Sequence, residues 1–169
     1  YPASSNINLA KIWREKTNLR LENEGLAIKN LHKLIDSNKL SNEENTLASS
    51  ALAEAYIKNK KIDSAIIQLQ RASSFTKDHH YLGRLRFIEG QLYSSIGLKD
   101  SANLAFDKVI ALKRKTPRVY TISAHLEKVK NFDFESGDKL ALETLLESLE
   151  SNRENRPFLD KIYHHIANY

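Results

Sequence analysis

The stretch ALAEAYIKNKKIDSAIIQLQRA, residues 51–72, decides the fold. On each side of its lysine-rich centre, small residues recur with large residues at helical spacing. Ala53 precedes Tyr56 in the first half, and Ala65 precedes Leu69 in the second. Two helices can cross closely where both carry a small side chain, and large side chains fill the space beside the crossing. The stretch therefore predicts two antiparallel helices packed as a pair.

The same pattern recurs along the chain. Alanines followed by a large apolar residue four positions later occur at intervals of 38, 37 and 39 residues, at Ala27, Ala65, Ala102 and Ala141. A period near 38 with this order of small and aromatic residues is typical of tetratricopeptide (TPR) repeats. In the third copy, Gly90 and Tyr93 take the places of Ala53 and Tyr56. In the first copy, the turn is predicted to be one residue shorter, which puts Leu19 in the aromatic position.

We predict an all-α fold, a TPR-like solenoid in which antiparallel helix pairs form a right-handed superhelix of about nine helices. The predicted helices span 6–21, 24–37, 43–59, 62–75, 79–96, 99–113, 118–134, 138–151 and 157–169. They form one domain with repeats over approximately 6–40, 43–77, 79–116 and 118–152, plus the first helix of a fifth repeat at 157–169. Ser41 and Glu44 make a capping-box pattern, and Pro157 suits the first turn of the last helix.

The composition excludes several classes of protein. Hydrophobic residues make up 41% and charged residues 28%, which indicates a folded chain, and only 5 Gly and 3 Pro favour long helices. The chain has no cysteine, so disulfides and thiolate metal sites are excluded. No apolar run approaches the roughly 18 residues of a membrane span. The net charge of +5 allows an acidic partner. We expect a piece of a longer solenoid, because Tyr1-Pro2 resembles the end of a preceding repeat.

Two stretches near the ends are more specific than any repeat pattern. They read YPASSNINLAKIWREKTN over residues 1–18, continuing to Leu31, and NRENRPFLDKIYHHIA over residues 152–167. Both resemble the TPR region of the SprE (PorW) family, lipoproteins of the gliding-motility and type IX secretion machinery of Bacteroidota. The resemblance spans nearly the whole chain. It implies a periplasmic protein anchored to the membrane by an upstream lipid, whose TPR part contacts other components of that machinery.

No pattern of catalytic or metal-binding residues is present in the sequence. There are six histidines, and four of them form the adjacent pairs His79-His80 and His164-His165. Neighbours on a helix point in different directions, and no pair has the spacing that chelates a metal. The abundant carboxylates, Glu44 among them, recur near lysines as on solvated helix faces. There is no Gly-rich phosphate loop and no nucleophile elbow. We therefore predict no enzymatic activity, no metal and no cofactor.

Two basic clusters lie near predicted helix ends. They are Lys58, Lys60 and Lys61, and Lys113, Arg114, Lys115 and Arg118. Cations there complement the negative end of the helix dipole, which is the favoured explanation. A docking edge for an acidic partner is the alternative. Aromatic residues are not interleaved with these charges, so we predict no nucleic-acid partner.

The concave face is the one surface for which the repeat gives a geometric argument. In a TPR array the first helix of each pair lines that face, at fixed offsets from the crossing alanine. The predicted groove residues are Trp13, Thr17, Arg20, Ser50, Glu54, Lys58, Arg84, Phe87, Gln91, Ser95, Leu126, Lys130 and Phe134. Trp13 and Phe87 are of the type that anchors interfaces. The alternative is that both pack between repeats.

Three functions stay open at the level of sequence. The first is a non-catalytic protein–protein interaction scaffold of the type IX secretion machinery, needed for secretion across the outer membrane, as the resemblance implies. The second is a generic TPR adaptor that binds an extended peptide or protein tail in its groove. The third is a glycan-binding or hydrolytic accessory domain at the cell envelope.

Overall fold

The computed structural model describes residues 6–37 and 39–167. The α-helices are α1 (Ile7–Arg20), α2 (Glu24–Asp36), α3 (Asn42–Lys58), α4 (Ile62–Phe75), α5 (His79–Ser95), α6 (Lys99–Ile110), α7 (Arg118–Lys130), α8 (Lys139–Ser151) and α9 (Leu159–Ile166). Short 3₁₀ helices at Lys113–Lys115 and Arg153–Phe158 precede α7 and α9. No strand occurs in these ranges. The prediction of an all-α fold with about nine helices is confirmed for the described residues.

The turns within the first three helix pairs share one backbone geometry. Three residues join α1 to α2, α3 to α4 and α5 to α6. The middle residue of each turn has a positive φ, which is 61° at Glu22, 57° at Lys60 and 80° at Gly97. Each of these residues lies five positions before the alanine of its pair. The prediction of a shorter first turn is therefore wrong.

Small residues lie where the second and third pairs cross. Ala53 and Ala65 are 1% and 0% exposed. In the third pair, a Cβ added to Gly90 would come within 2.4 Å of the Phe106 ring. Because Gly90 has no Cβ, the aromatic ring can occupy this space. The predicted crossings at these two pairs are confirmed.

A buried carboxylate takes the place of the small residue in the first pair. Because the three turns have the same length, Glu15 occupies the position of Ala53 and Gly90. Glu15 is 1% exposed. Its Oε2 accepts hydrogen bonds from Asn18 at 2.7 Å and Asn30 at 3.2 Å, and its Oε1 accepts one from Arg14 Nε at 2.7 Å.

These hydrogen bonds decide the pKa of Glu15. Burial alone would raise the pKa of this carboxyl, since it penalises the charged form. The hydrogen bonds from Asn18, Arg14 and Asn30 outweigh burial and hold the pKa below its usual value of 4.5. Asn18 stands where the next pairs have Tyr56 and Tyr93. The prediction that Leu19 fills that position is wrong, and Leu19 packs instead in a cluster with Ala27 and Ala55.

The predicted helix start at Ser41 is confirmed. Ser41 Oγ accepts a hydrogen bond from the Glu44 backbone N–H at 3.2 Å, and the Glu44 carboxylate accepts one from the Ser41 N–H at 2.7 Å. This reciprocal capping box folds the Glu44 side chain back onto the helix end. Glu44 is only 8% exposed as a result, so it is not the solvated carboxylate that the sequence suggested.

The fourth pair departs from the pattern. Ala141, predicted at the crossing, is exposed, and its neighbour Leu142 is buried. The prediction of a helix over 118–134 was also too long, since α7 ends at Lys130 and residues 131–138 form a turn region. Large residues of α8 pack against Val129 of α7, so the backbones of α7 and α8 approach less closely than those of α3 and α4. A leucine in the place of an alanine explains the wider spacing.

The approach to α9 also differs from the sequence prediction. The sequence predicts no helix between residues 151 and 157, whereas the structure forms the 3₁₀ helix Arg153–Phe158, and Pro157 falls inside it and not in the first turn of α9. Asn155 is fully buried there; its Nδ2 donates to the Leu149 carbonyl at 2.7 Å. These contacts fix the connection against α8.

Candidate partner-binding groove

The first helices of successive pairs line a surface with two depressions. Residues of α1, α3 and α5 surround the first depression, which we call the N-terminal section of the groove. Its apolar residues include Ile57, Leu85 and Ile88, with Leu69 of α4 behind them. Its charged residues are Lys16, Glu54, Lys58 and Arg84. Three cations against one carboxylate give this section a positive balance.

The charges of the N-terminal section differ in what they contact. Lys58 Nζ donates to the Leu19 carbonyl at 2.5 Å, near the C-terminal end of α1. The Lys16 Nζ lies 4.4 Å from the centroid of the Trp13 ring. Arg84 and Glu54 are both exposed, and neither makes a hydrogen bond or ion pair with any residue described. Arg84 is therefore the cation best placed to pair with a ligand.

Residues of α5, α7 and α9 surround the second depression, which we call the C-terminal section. Its lining consists of Phe87, Gln91, Ser123, Leu126, Glu127, Lys130, Asp160, Lys161, His164 and His165. Lys130 Nζ forms an ion pair with Glu127 at 2.8 Å. Asp160 and Lys161 come from α9, so charges of both signs meet here. The two sections share α5, which contributes Arg84 to one and Gln91 to the other.

The structure brings eight of the thirteen predicted groove residues to these depressions. Ser50, Glu54, Lys58 and Arg84 line the N-terminal section, and Phe87, Gln91, Leu126 and Lys130 line the C-terminal section. Trp13, Thr17, Arg20, Ser95 and Phe134 line neither of them. That any of these residues binds a partner stays a prediction.

Two of the three first-pair residues missed the groove because of the turn. The prediction of a short first turn shifted Trp13 and Thr17 by one residue, whereas Arg20 does correspond to Lys58 but does not line the groove. With the turn at full length, Lys16 and not Thr17 corresponds to Glu54 of α3, and Lys16 lines the groove. Trp13 is 55% exposed and lies on another face of α1. Counting the turn as equal in all pairs would have found Lys16 from the sequence.

Two of the eight residues serve mainly as packing. The Phe87 ring lies 5.8 Å from both the Phe106 and the Tyr120 rings, between α5, α6 and α7. Leu126 is 3% exposed and belongs to a cluster with Ile122. Both reach the groove only as its floor, so the rim residues Gln91 and Lys130 are the accessible ones.

A buried glutamate that the sequence reasoning missed links two pairs next to the groove. Glu89 of α5 is 1% exposed. It accepts a hydrogen bond from Gln70 of α4 at 2.9 Å and forms an ion pair with Arg86 at 2.7 Å. Gln70 also donates to the Tyr93 hydroxyl at 3.1 Å. This network holds α5 against α4, and so it fixes one wall of the groove.

The second basic cluster forms ion pairs with another segment of the chain. Arg114 and Arg118 both pair with Glu154, at 2.6 and 2.9 Å, and Arg118 Nε donates to Asn155 Oδ1 at 2.7 Å. These ion pairs tie the start of α7 to the 3₁₀ helix before α9. The helix-dipole explanation is therefore incomplete for this cluster, whose arginines hold two segments together.

No metal site is indicated in the ranges that the structure describes. No group of three or more His, Asp or Glu side chains there is placed to hold a metal ion. None of the helices in residues 6–37 and 39–167 is long and apolar enough to cross a membrane.

We expect His125 to make stability depend on pH near neutrality. Burial, with Lys128 and Arg118 nearby, holds the pKa of His125 below its usual value of 6.5, although Asp107 opposes the shift. His125 therefore binds a proton more readily in the unfolded chain than in the folded chain, so stability falls as the pH drops below about 6.5. Urea unfolding should show that the protein loses stability between pH 7.5 and pH 5.5, and that this loss is smaller in His125→Gln. An equal loss in the variant would contradict this.

The comparisons with known proteins concern the fold. No family model matches the chain, and no curated protein matches it. Two crystal structures of MamA are similar to it. One is 21% identical with a TM-score of 0.62, and the match covers 99% of this chain and 85% of the MamA chain. The other is 22% identical with a TM-score of 0.63, and the match covers 92% and 76%. The chain is thus an all-α protein with a TPR-like helical-repeat fold.

Proposed function

We propose that this chain is a single helical-repeat solenoid that acts as a non-catalytic protein-interaction scaffold. The observation that carries the proposal is the convergence of α1, α3, α5, α7 and α9 on one groove. Both sections of the groove combine an apolar floor with charged residues at the rim. Such surfaces bind protein segments, because the floor takes apolar side chains and the rim charges select among partners.

The rim charges favour a partner segment that carries carboxylates. Lys16, Lys58 and Arg84 outnumber Glu54 in the N-terminal section. A carboxylate that approaches Arg84 meets a cation without a competing intramolecular partner. The C-terminal section has Lys130 paired with Glu127, so its contribution to charge selection is smaller.

Reversing two rim charges tests the groove. We expect the double variant Lys16→Glu/Arg84→Glu to weaken partner binding by about tenfold or more, or roughly 1.4 kcal/mol. The measurement is quantitative capture of partners by the tagged protein, followed by calorimetric titration with each partner identified. Both residues are partly or fully exposed and outside the apolar core, so circular dichroism should be unchanged.

A matched control separates the groove from net charge. Lys29→Glu/Lys108→Glu makes the same change in charge on α2 and α6, at exposed positions that do not line the groove. We expect it to retain binding. Equal loss in the two double variants would mean that only the overall charge matters, and the groove would not be the binding surface.

We also propose that the partners belong to the type IX secretion and gliding-motility machinery, and that the protein is periplasmic and held at the membrane by an upstream lipid. The two end stretches that resemble the SprE (PorW) family support this assignment. The role would be to hold components together for secretion across the outer membrane.

Cross-linking in intact cells tests the assignment. The tagged full-length protein should recover components of that machinery, and the Lys16→Glu/Arg84→Glu variant should recover less of them. Recovery of unrelated proteins through their extended tails, without any machinery component, would favour the generic peptide-binding adaptor instead.

A further inference from the structure

A cavity that is separate from the groove lies on a different face of α7. The end of α6, the 3₁₀ helix Lys113–Lys115, α7 and α8 surround it, and we call it the α6–α8 cavity. From α7 it receives Arg118 and Ile122, whereas Leu126 and Lys130 of the same helix line the C-terminal section of the groove. Its volume is about 900 Å³. Cavities of roughly 300–1,000 Å³ are typical of ligand sites.

The α6–α8 cavity lies inside the array and not at one of its ends. Its walls belong to the third and fourth pairs, with α5 before them and α9 after them. Each of the first three second helices packs against the first helix of the next pair, as α2 does on α3 and α4 does on α5, whereas successive second helices make few close backbone contacts. A further pair stacked on α9 would follow the same arrangement and leave the cavity between α6 and α8 open.

The floor of the α6–α8 cavity is apolar and recessed. Ile122 and Leu149 are buried, and Ile110, Leu112 and Leu145 are partly buried around them. Of the lining residues that the structure describes, no large apolar one is exposed. A surface that binds lipid needs apolar side chains that project into the bilayer. A recess instead receives an apolar side chain that a partner brings, as buried anchors do at protein interfaces.

Cations surround this floor. They are Lys113, Arg114, Lys115 and Arg118, and no Asp or Glu of the described residues lines the cavity. Three of the four come from the connection between α6 and α7, which spans residues 111–117, whereas residues 76–78 suffice between α4 and α5. The stacking of helix pairs therefore does not require the longer connection that carries these charges.

The arginines and the lysines of this rim differ in their partners. Arg114 and Arg118 share the carboxylate of Glu154, at 2.6 and 2.9 Å. Lys113 and Lys115 are exposed, and their side chains form no hydrogen bond or ion pair with any residue described. One carboxylate thus stands against four cations, and the arginines already hold it in the geometry that carboxylates favour. The two lysines are available to the carboxylates of a partner.

We propose that the α6–α8 cavity binds an acidic segment of another protein, in which one large apolar side chain is flanked by carboxylates. The apolar side chain enters the recess over Ile122 and Leu149, and the flanking carboxylates pair with Lys113 and Lys115. This site is separate from the groove, and the inference holds whether or not the groove binds a partner.

A measurement that reports on each surface separately tests the site. The probe is a synthetic peptide with the sequence GEEFEEG, which carries one phenylalanine between two pairs of glutamates. The isotopically labelled protein is titrated with this peptide and followed by its amide NMR signals. We expect the signals of Leu112, Thr121 and Ser148, which line the cavity, to shift with saturation. The signals of Arg84 and Gln91 report any binding to the groove.

Two altered peptides separate charge from the apolar anchor. In one, glutamine replaces every glutamate, and in the other, alanine replaces the phenylalanine. Each change should raise the dissociation constant read at the cavity signals by about tenfold or more. If either altered peptide bound the cavity as tightly as the first, the proposed ligand chemistry would be wrong.

Two protein variants and a control locate the site. Lys113→Glu/Lys115→Glu reverses the two available cations, and Ser148→Phe places a ring at the mouth of the cavity. Each should raise the same dissociation constant by about tenfold or more. Lys29→Glu/Lys108→Glu makes the same change in net charge away from the cavity and should retain binding. All of these positions are exposed, so circular dichroism should match the parent.

Three results would overturn the proposal. The first is the absence of a saturable shift of the cavity signals at millimolar peptide, including a shift confined to the groove signals. The second is an equal loss of binding in Lys113→Glu/Lys115→Glu and in the control. The third concerns vesicles of equal parts phosphatidylglycerol and phosphatidylcholine. Co-sedimentation with these vesicles that is lost in Lys113→Glu/Lys115→Glu, while the peptide leaves the cavity signals unchanged, would assign the cations to a lipid surface.

Discussion

Replacing Phe106 with alanine is expected to lower the free energy of unfolding by about 3–5 kcal/mol. The ring is fully buried, lies against Gly90 and packs beside Phe87. Its loss leaves a cavity at the crossing of α5 and α6. The two helices already approach closely there, so they cannot move together enough to fill the cavity. Urea unfolding followed by circular dichroism measures the change.

The control lies on the same helix. Leu104 is 63% exposed, two positions before Phe106. Leu104→Ala should change stability by no more than about 0.5 kcal/mol, since exposed positions away from special contacts have small effects. If Phe106→Ala were as mild as Leu104→Ala, the ring would not be the central packing element of the third pair.

Gly90 and Phe106 should also be coupled. Gly90→Ala alone would force the ring to move and should cost about 1–3 kcal/mol. In a Phe106→Leu background the smaller side chain leaves room for the new methyl group, so the same glycine change should cost less. A double-mutant cycle with no interaction energy would contradict the close contact.

Glu15→Ala is expected to be the second large effect, at about 2–3 kcal/mol. The substitution leaves the amide groups of Asn18 and Asn30 without their charged acceptor, and hydrogen bonds to charged groups are worth about 1.5–3 kcal/mol each before relaxation. Thermal and urea unfolding of Glu15→Ala against the parent measure the loss. Glu22→Ala, on the exposed turn of the same pair, is the control for removing a carboxylate.

A second substitution should recover part of this loss. The second pair has Ala53 and Tyr56 where the first has Glu15 and Asn18. Glu15→Ala/Asn18→Tyr gives the first pair the residues of the second, so the aromatic ring can fill the space beside a small crossing residue. We expect the double variant to be more stable than Glu15→Ala alone. A double variant that is less stable would mean that the first crossing has a different geometry.

The same carboxylate has a defined dependence on pH. Because the folded pKa of Glu15 is lowered, its contribution to stability is complete above the usual value of 4.5 and is lost as the pH falls through the folded pKa. Between pH 7 and pH 3 the parent should therefore lose more stability than Glu15→Ala does.

The sequence was most informative where side-chain size decides the packing. The small residues Ala53, Ala65 and Gly90, each with large neighbours, located the crossings of the second and third pairs, because only a small side chain permits that approach. The pattern failed at Ala141, since α8 is rich in leucine and a shift of one residue leaves an equally apolar face. The buried position is therefore Leu142, and the wider distance between α7 and α8 cannot be read from the alanine intervals.

The groove residues could be predicted only where the register of the helices was predicted correctly. The positions on α3 and, apart from Ser95, on α5 were correct because their turns were counted correctly. Trp13 and Thr17 on α1 were displaced, because Glu15 takes the place of the small residue by which the register is recognised. A buried glutamate cannot be told from a solvated one by spacing, since its burial depends on Asn18 and Asn30 meeting it in space.

The wide crossing of α7 and α8 has a mechanical consequence. In a stack of helix pairs each unit is held only by its neighbours, so a load applied at one end passes through every junction in turn. α7 and α8 have few close backbone contacts and are joined by the long turn of residues 131–138, so little of that load passes directly between them. It passes instead from α7 to α9, through the packing of Ile122 and Leu126 with Ile162 and through the Arg118–Glu154 ion pair, which together hold the C-terminal wall of the groove.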